Sequence, residues 1–231
     1  MKASDAEATP VRYTFDAPQR LPADFQWFRS PLPDRLFSLS DRPGHLRLTG
    51  HESIGSTFEQ ALVARRQTDF DFDVETDVDA EPTSYHQMAG LDDYYNGFAY
   101  HYLCLTHDEE YDRSLQILSC PGGWPQGNTE LMLEQSVAAP QGPVRMKLEV
   151  RGAASRFYYW HDGWTRMGPL LDQSALSDEN GEGEYANFTG AFFLAWPQTI
   201  RAVRQCTRIS RIFLTRLGLE RNGTGDPCFA S

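Results

Sequence analysis

Glu75, Asp77 and Asp79 alternate with Thr76 and Val78, and in an extended chain a period of two turns all three carboxylates to one side. Carboxyls placed in this way can perform glycoside hydrolysis, one as the acid and another as nucleophile or base. The acid row continues back through Asp73, Asp71 and Asp69, with Phe70, Phe72 and Val74 between them. A working pair needs contrasted surroundings to separate its two pKa values, and a uniform row offers no such contrast. The row therefore reads as the solvated face of a half-buried strand, with a glycanase site of Glu75, Asp77 and Asp79 as the alternative.

Other polar clusters carry less chemistry. His107-Asp108-Glu109-Glu110 and Asp92-Asp93 offer donors for a metal, but neither has a known ligand spacing, and both read as polar turns capping strands. His45, His51, His86, His101 and His161 form no paired motif. Cys104, Cys120, Cys206 and Cys228 are scattered without a Cys-x-x-Cys pair, which suits buried free thiols. There is no nucleophile elbow, phosphate-cradling loop or dinucleotide fingerprint, so no cofactor is expected. Aromatics remain. Trp124 in its glycine- and proline-rich loop, Tyr94 and Tyr95, and Trp160 and Trp164 near hairpin turns could stack on sugar rings, although aromatics equally fill sandwich cores.

The elements that position these residues are strands. Asn96-Gly97 and Asp162-Gly163 each separate two apolar-rich runs, as tight hairpin turns do, and 144–150 supplies a further strand. Breaker-rich loops fall at 121–127 and 178–184. Many short strands joined by turns predict an all-β sandwich or barrel. A chain of 231 residues with 40% hydrophobic content is enough for one such domain. A net charge of −11 opposes nucleic acid and anionic membrane surfaces as partners. The first ten residues hold no apolar signal core, which leads to the expectation of a soluble cytoplasmic protein.

Several ordered segments share a resemblance. They are Val11-Arg12-Tyr13-Thr14-Phe15-Asp16, Arg42-Pro43-Gly44-His45-Leu46-Arg47-Leu48, the run from Glu52-Ser53-Ile54-Gly55-Ser56-Thr57-Phe58-Glu59-Gln60 to Gln67, Gln87-Met88-Ala89-Gly90-Leu91, Thr106-His107-Asp108-Glu109-Glu110, Gly168-Pro169-Leu170-Leu171-Asp172, Leu176-Ser177-Asp178-Glu179 and Phe188-Thr189-Gly190-Ala191-Phe192. Together they resemble the accessory β-sandwich that follows the catalytic propeller in family 43 glycoside hydrolases, the β-xylosidases and related arabinofuranosidases. The resemblance implies a concanavalin A-like jelly-roll β-sandwich over 11–193, after a disordered lead at 1–10. It also implies that the catalytic carboxylates belong to a propeller partner and that none lies in this chain. Phe188 would form a wall of the pocket for a xylo-oligosaccharide or arabinoside. Alone, the chain would not cleave glycosides. A free-standing carbohydrate-binding module for xylan-type oligosaccharides, stacking them on Trp124, Tyr94 and Tyr95, is the alternative.

Past Phe193 the composition changes: 194–231 holds six arginines against two acids. Arg201, Arg204, Arg208 and Arg211 recur at helical spacing and admit a basic helix. The other reading is a frameshifted end, since a shifted frame with synonymous codons restores a family-like closing strand. That reading predicts an unpaired sheet edge after Phe193.

Overall fold

The computed structural model describes residues 11–16, 21–27, 33–50, 52, 54, 56, 60–122, 129–180, 192–199 and 206–216, the last two as backbone. Short extended runs between turn residues give sixteen strands among the described residues. They are β1 (Val11–Tyr13), β2 (Phe25–Trp27), β3 (Phe37–Ser38), β4 (Leu46–Thr49), β5 (Val63–Arg66), β6 (Asp71–Asp79), β7 (Gln87–Asn96) and β8 (Ala99–Asp108). The chain continues through β9 (Asp112–Pro121), β10 (Glu130–Leu131), β11 (Val137–Ala138), β12 (Val144–Arg151), β13 (Ala154–Trp160), β14 (Trp164–Asp172), β15 (Phe192–Thr199) and β16 (Cys206–Arg216).

Two stacked antiparallel sheets result, the concanavalin A-like sandwich that the sequence implies. The first runs β14-β13-β12-β6-β16-β4-β3, with β1 also on β16. The second runs β10-β9-β8-β7-β15-β5-β2, with β11 also on β9. Both anticipated hairpins form. Asn96 Oδ1 accepts the Phe98 N–H at 2.8 Å in the turn from β7 to β8. Asp162 takes a left-handed φ of 56° between β13 and β14, a conformation that Asp tolerates better than most residues.

Alternation fills the space between the sheets. Phe72, Val74 and Val78 of β6 and Met146, Leu148 and Val150 of β12 pack into one core with Leu91, Leu103 and Ile117 from the second sheet. The second sheet is covered on its other face as well. Ile54, Leu62, Met88, Tyr94, Tyr100, Tyr102, Cys104 and Cys120 form a second buried cluster there. The segment over them is fastened by Gln60, whose Nε2 donates to the carbonyls of Ile54 and Ser56. Cys104 and Cys120 are buried free thiols, as their spacing suggests; Cys228 lies outside the described residues.

From Phe192 on, the described backbone is extended at 192–199 and 206–216. β15 crosses the expected boundary and pairs with β5 and β7. β16 lies inside the first sheet, with β6 on one side and β4 and then β1 on the other. The basic-helix reading fails over 206–216 because the backbone is extended there; Thr207, Ile209, Ile212 and Thr215 are β-branched types that suit a strand. Among the described residues, β15 and β16 are each paired on both sides.

Close sheet geometry makes one glycine indispensable. A Cβ on Gly90 of β7 would run into the carbonyl of Leu103 on β8, and a paired backbone cannot give way as a flexible side chain can. Gly90→Ala is expected to cost ~1–3 kcal/mol or more. Urea and thermal melts measure this, and an unchanged melting temperature would contradict the packing described.

Candidate functional site

The acid row of β6 is an ion-paired surface, not a simply solvated one. Antiparallel register sets Asp77 opposite Arg145, Glu75 opposite Lys147 and Asp73 opposite Glu149 on β12. Arg145 Nε donates to Asp77 Oδ1 at 2.8 Å. Arg151 resolves the like-charged pair, reaching Asp73 at 2.8 Å and Glu149 at 3.0 Å. Arg42 holds Asp79 at 3.2 Å. Burial pushes the Asp73 and Glu75 carboxyls above their ordinary range, against the pull of the neighbouring cations. Two of the three carboxylates of the glycanase alternative, Asp77 and Asp79, are thus engaged by arginines, and the arrangement is that of a charge ladder.

Tyr94 and Tyr95 sit on opposite faces of β7, and both are buried. Tyr94 belongs to the outer cluster of the second sheet, stacked with Tyr100 at 6.5 Å between centroids. Tyr95 packs with Ala99 and Leu176, and its hydroxyl donates to Asp178. A sugar can reach neither ring without displacing these neighbours, which corrects the stacking role expected for them: the hairpin places them in layers where aromatics pack. Trp124 and Phe188 lie outside the described residues.

Sequence reasoning missed a polar plug. Asp92 and Asp93 are adjacent and both fully buried, Asp92 on the tyrosine side and Asp93 between the sheets. Among the described residues neither oxygen of Asp92 meets a hydrogen-bonding side chain, and burial pushes its carboxyl well above the ordinary range, against the weaker pull of the Asp93 backbone N–H. Burial also raises Asp93, to about 7, even though Gln173 donates to it at 3.2 Å. Across the hairpin from Asp93 stands His101, whose Nδ1 lies 2.8 Å from Ser119 Oγ and whose Nε2 faces the Asp172 carbonyl at 3.2 Å. Serine, histidine and aspartate thus meet, but the outer imidazole nitrogen meets a backbone carbonyl instead of a carboxylate. The group is sealed from solvent and acts as a plug, not a nucleophilic triad. Counting residues outward from Asn96-Gly97 sets Asp93 opposite Tyr100; the observed pairing, with a register shift between Tyr94 and Asn96, sets it opposite His101, so the turn dipeptide alone does not reveal the pair.

Gln173 joins this plug to the surface. With Gln67, Phe70, Ala153, Ser174 and Asp178 it lines an open cleft of about 810 Å³ at one end of the sandwich. Phe70 stands 80% exposed there. The chain leaves this end at Asn180 and enters the segment that carries Phe188. Among the described residues no three His, Cys, Asp or Glu side chains gather to hold a metal. No helix among them is long and apolar enough to cross a membrane.

The buried acids give a pH signature. Asp93 has a folded pKa of about 7, above its ordinary 3.8. The folded state therefore holds this proton more tightly than the unfolded state does, and the stability linked to it is lost as pH rises from about 4 through about 7. Asp93→Asn keeps an acceptor for Gln173 and removes the charge. Its stability relative to the parent should rise steadily across that window in urea melts, and a constant difference would contradict the buried carboxyl.

Comparison with known proteins agrees with the fold. The sequence model of a family described as the beta xylosidase C-terminal concanavalin A-like domain matches residues 12–198. The chain is 43% identical over 185 residues to xylosidase/arabinosidase 43B of Humicola insolens, which covers 78% of this chain and 34% of that protein. It is 36% identical over 173 residues to a β-xylosidase of Bacillus subtilis (strain 168), covering 73% and 32% respectively. The crystal structure of xylan β-1,4-xylosidase from Bacillus halodurans C-125 superposes with a TM-score of 0.83 at 31% identity, over 94% of this chain and 41% of that one. The chain thus spans about a third of the length of the curated relatives it matches. By sequence and by fold, it belongs to the C-terminal concanavalin A-like domains of the family 43 β-xylosidases.

Proposed function

We propose that this domain packs on a family 43-type catalytic propeller and completes that partner's pentoside pocket, with Phe188 as one wall. The observation that carries this reading is the partial match: the chain corresponds to one contiguous third of xylosidases whose remaining length has no counterpart here. The chemistry agrees. Hydrolysis needs two carboxyls disposed about the scissile bond in a rigid pocket, whereas Asp77 and Asp79 of β6 pair with arginines on a sheet face. The end of the sandwich with the cleft and exposed Phe70 also gives rise to the segment holding Phe188, so this end is the one proposed to face the propeller. The substrate on this reading is a xylo-oligosaccharide or arabinoside, bound mainly by the partner.

Two outcomes follow. The purified chain alone should not hydrolyse nitrophenyl xyloside or arabinofuranoside, and turnover that vanishes in Glu75→Gln would overturn the accessory reading in favour of the β6 carboxylates. In complex with a family 43 propeller, Phe188→Ala should lower kcat/KM by about tenfold or more, because a displaced pocket wall misplaces the substrate, while Trp124→Ala should stay within about twofold. Equal kinetics for the parent and Phe188→Ala in a verified complex would remove Phe188 from the pocket.

A further inference from the structure

A second surface lies away from that end. β13 and β14 meet at Trp160 and Trp164, which are cross-strand partners at the tip of their hairpin. The two indoles stand edge to face, 5.3 Å between centroids at 90°. Trp160 is 46% exposed, an unusual position for the largest apolar side chain. Trp164 is anchored from the side by Lys147, whose Nζ lies 4.9 Å from its centroid and 4.4 Å from that of Tyr158. The outer face of β12, β13 and β14 therefore presents an indole platform backed by a fixed ammonium.

Lys147 has hydrogen-bonding capacity to spare. Its side chain is 12% exposed, yet its nearest carboxylate oxygen, on Glu149, is 3.9 Å away, too far for a hydrogen bond. Glu75, its cross-strand partner on β6, makes no hydrogen bond and no ion pair within 4 Å with the described side chains, while Asp73, Asp77 and Asp79 on the same strand each have an arginine. Trp160 on β13, Lys147 on β12 and Glu75 on β6 thus lie along one face of three neighbouring strands, two inter-strand spacings or about 10 Å across. At one end is an exposed aromatic ring; further along are N–H donors and a pair of acceptor oxygens that make no hydrogen bond among the described residues.

We propose that this line is a binding site for a neutral β-linked pyranose oligosaccharide, one ring stacked on Trp160 and the hydroxyls of the following rings bound by Lys147 and Glu75. A sugar ring with equatorial hydroxyls has an apolar C–H face for the indole and a rim of groups that both donate and accept. Other occupants fit less well. An anionic polymer would meet the β6 acid row and the net charge of −11. A cation would find Lys147 already on the Trp164 and Tyr158 faces. A stable protein interface needs about 800 Å² from each partner, and the apolar part of this surface is a single indole pair amid charges. The site lies at the end of β13 away from the cleft lined by Phe70 and Gln173; only the choice of xylose units as a probe rests on the reading above.

Isothermal titration of the whole chain with xylohexaose and, separately, cellohexaose tests the site. Binding of at least one of them is expected, with Trp160→Ala weakening it about tenfold or more, Trp160→Phe retaining most of it, and Lys147→Met and Glu75→Gln each weakening it severalfold. Melting temperatures near that of the parent would assign these losses to the site and not to the fold. Absence of binding to both sugars at millimolar concentration, or affinity that survives Trp160→Ala, would overturn the proposal. No propeller enters this assay, so its failure leaves the pocket reading standing, and failure of the pocket assay leaves this site standing.

Discussion

β6 cannot shift by one residue against β12 without exchanging its two faces. In the observed register Phe72, Val74 and Val78 enter the core while Asp73 and Asp77 meet Arg151 and Arg145. A slip would bury a row of carboxylates and expose the apolar row, at a cost no surface ion pair could offset. The individual ion pairs are partly exposed and modest in energy. Their effect is on register: the right cation opposes the right acid only when the core is also correctly filled. β12 then orders β13 and β14, while the other edge of β6 receives β16, so this one pairing fixes the layout of the first sheet.

The second sheet is built under a different constraint, because it is covered on both faces. Its central strands carry Leu91 and Leu103 inward and Tyr94 and Tyr102 outward, and β7 and β8 approach so closely that Gly90 tolerates no Cβ. Two neighbouring carboxyls are buried in the same strand, one on each face, and burial raises the pKa of both. Buried acids of this kind reduce stability near neutral pH. Asp93 is tied through Gln173 to the cleft at the end of the sandwich. On the accessory reading, that end is the one that faces a catalytic partner, so the plug would support the contact surface from behind.

Much of the frame was legible in the sequence because its signals are local. The period-two row of β6, the turn dipeptides Asn96-Gly97 and Asp162-Gly163, and the buried character of Cys104 and Cys120 each follow from a few consecutive residues. What was hidden depends on a third layer. Tyr94 and Tyr95 look like candidates for sugar stacking until the cover supplied by Ile54 and Leu62 on one side and Leu176 on the other is known. Asp92 and Asp93 look like a polar turn because two adjacent acids rarely occupy the middle of a doubly buried strand. β16 was obscured by arginines at helical spacing, though its β-branched residues pointed to a strand. The stacking candidate that remains exposed, Trp160, was legible only as one of several hairpin aromatics; its cross-strand neighbours Trp164 and Lys147 single it out.

The central claim is that this sandwich serves as one side of a two-part glycosidase, and hydrogen exchange on the chain with and without a family 43 β-xylosidase propeller lacking its own sandwich tests it most directly. The account predicts slowed exchange at 67–70 and 173–180, around the cleft, with the amides of β6 and β12 unchanged. Identical exchange with and without a saturating excess of the propeller would contradict it.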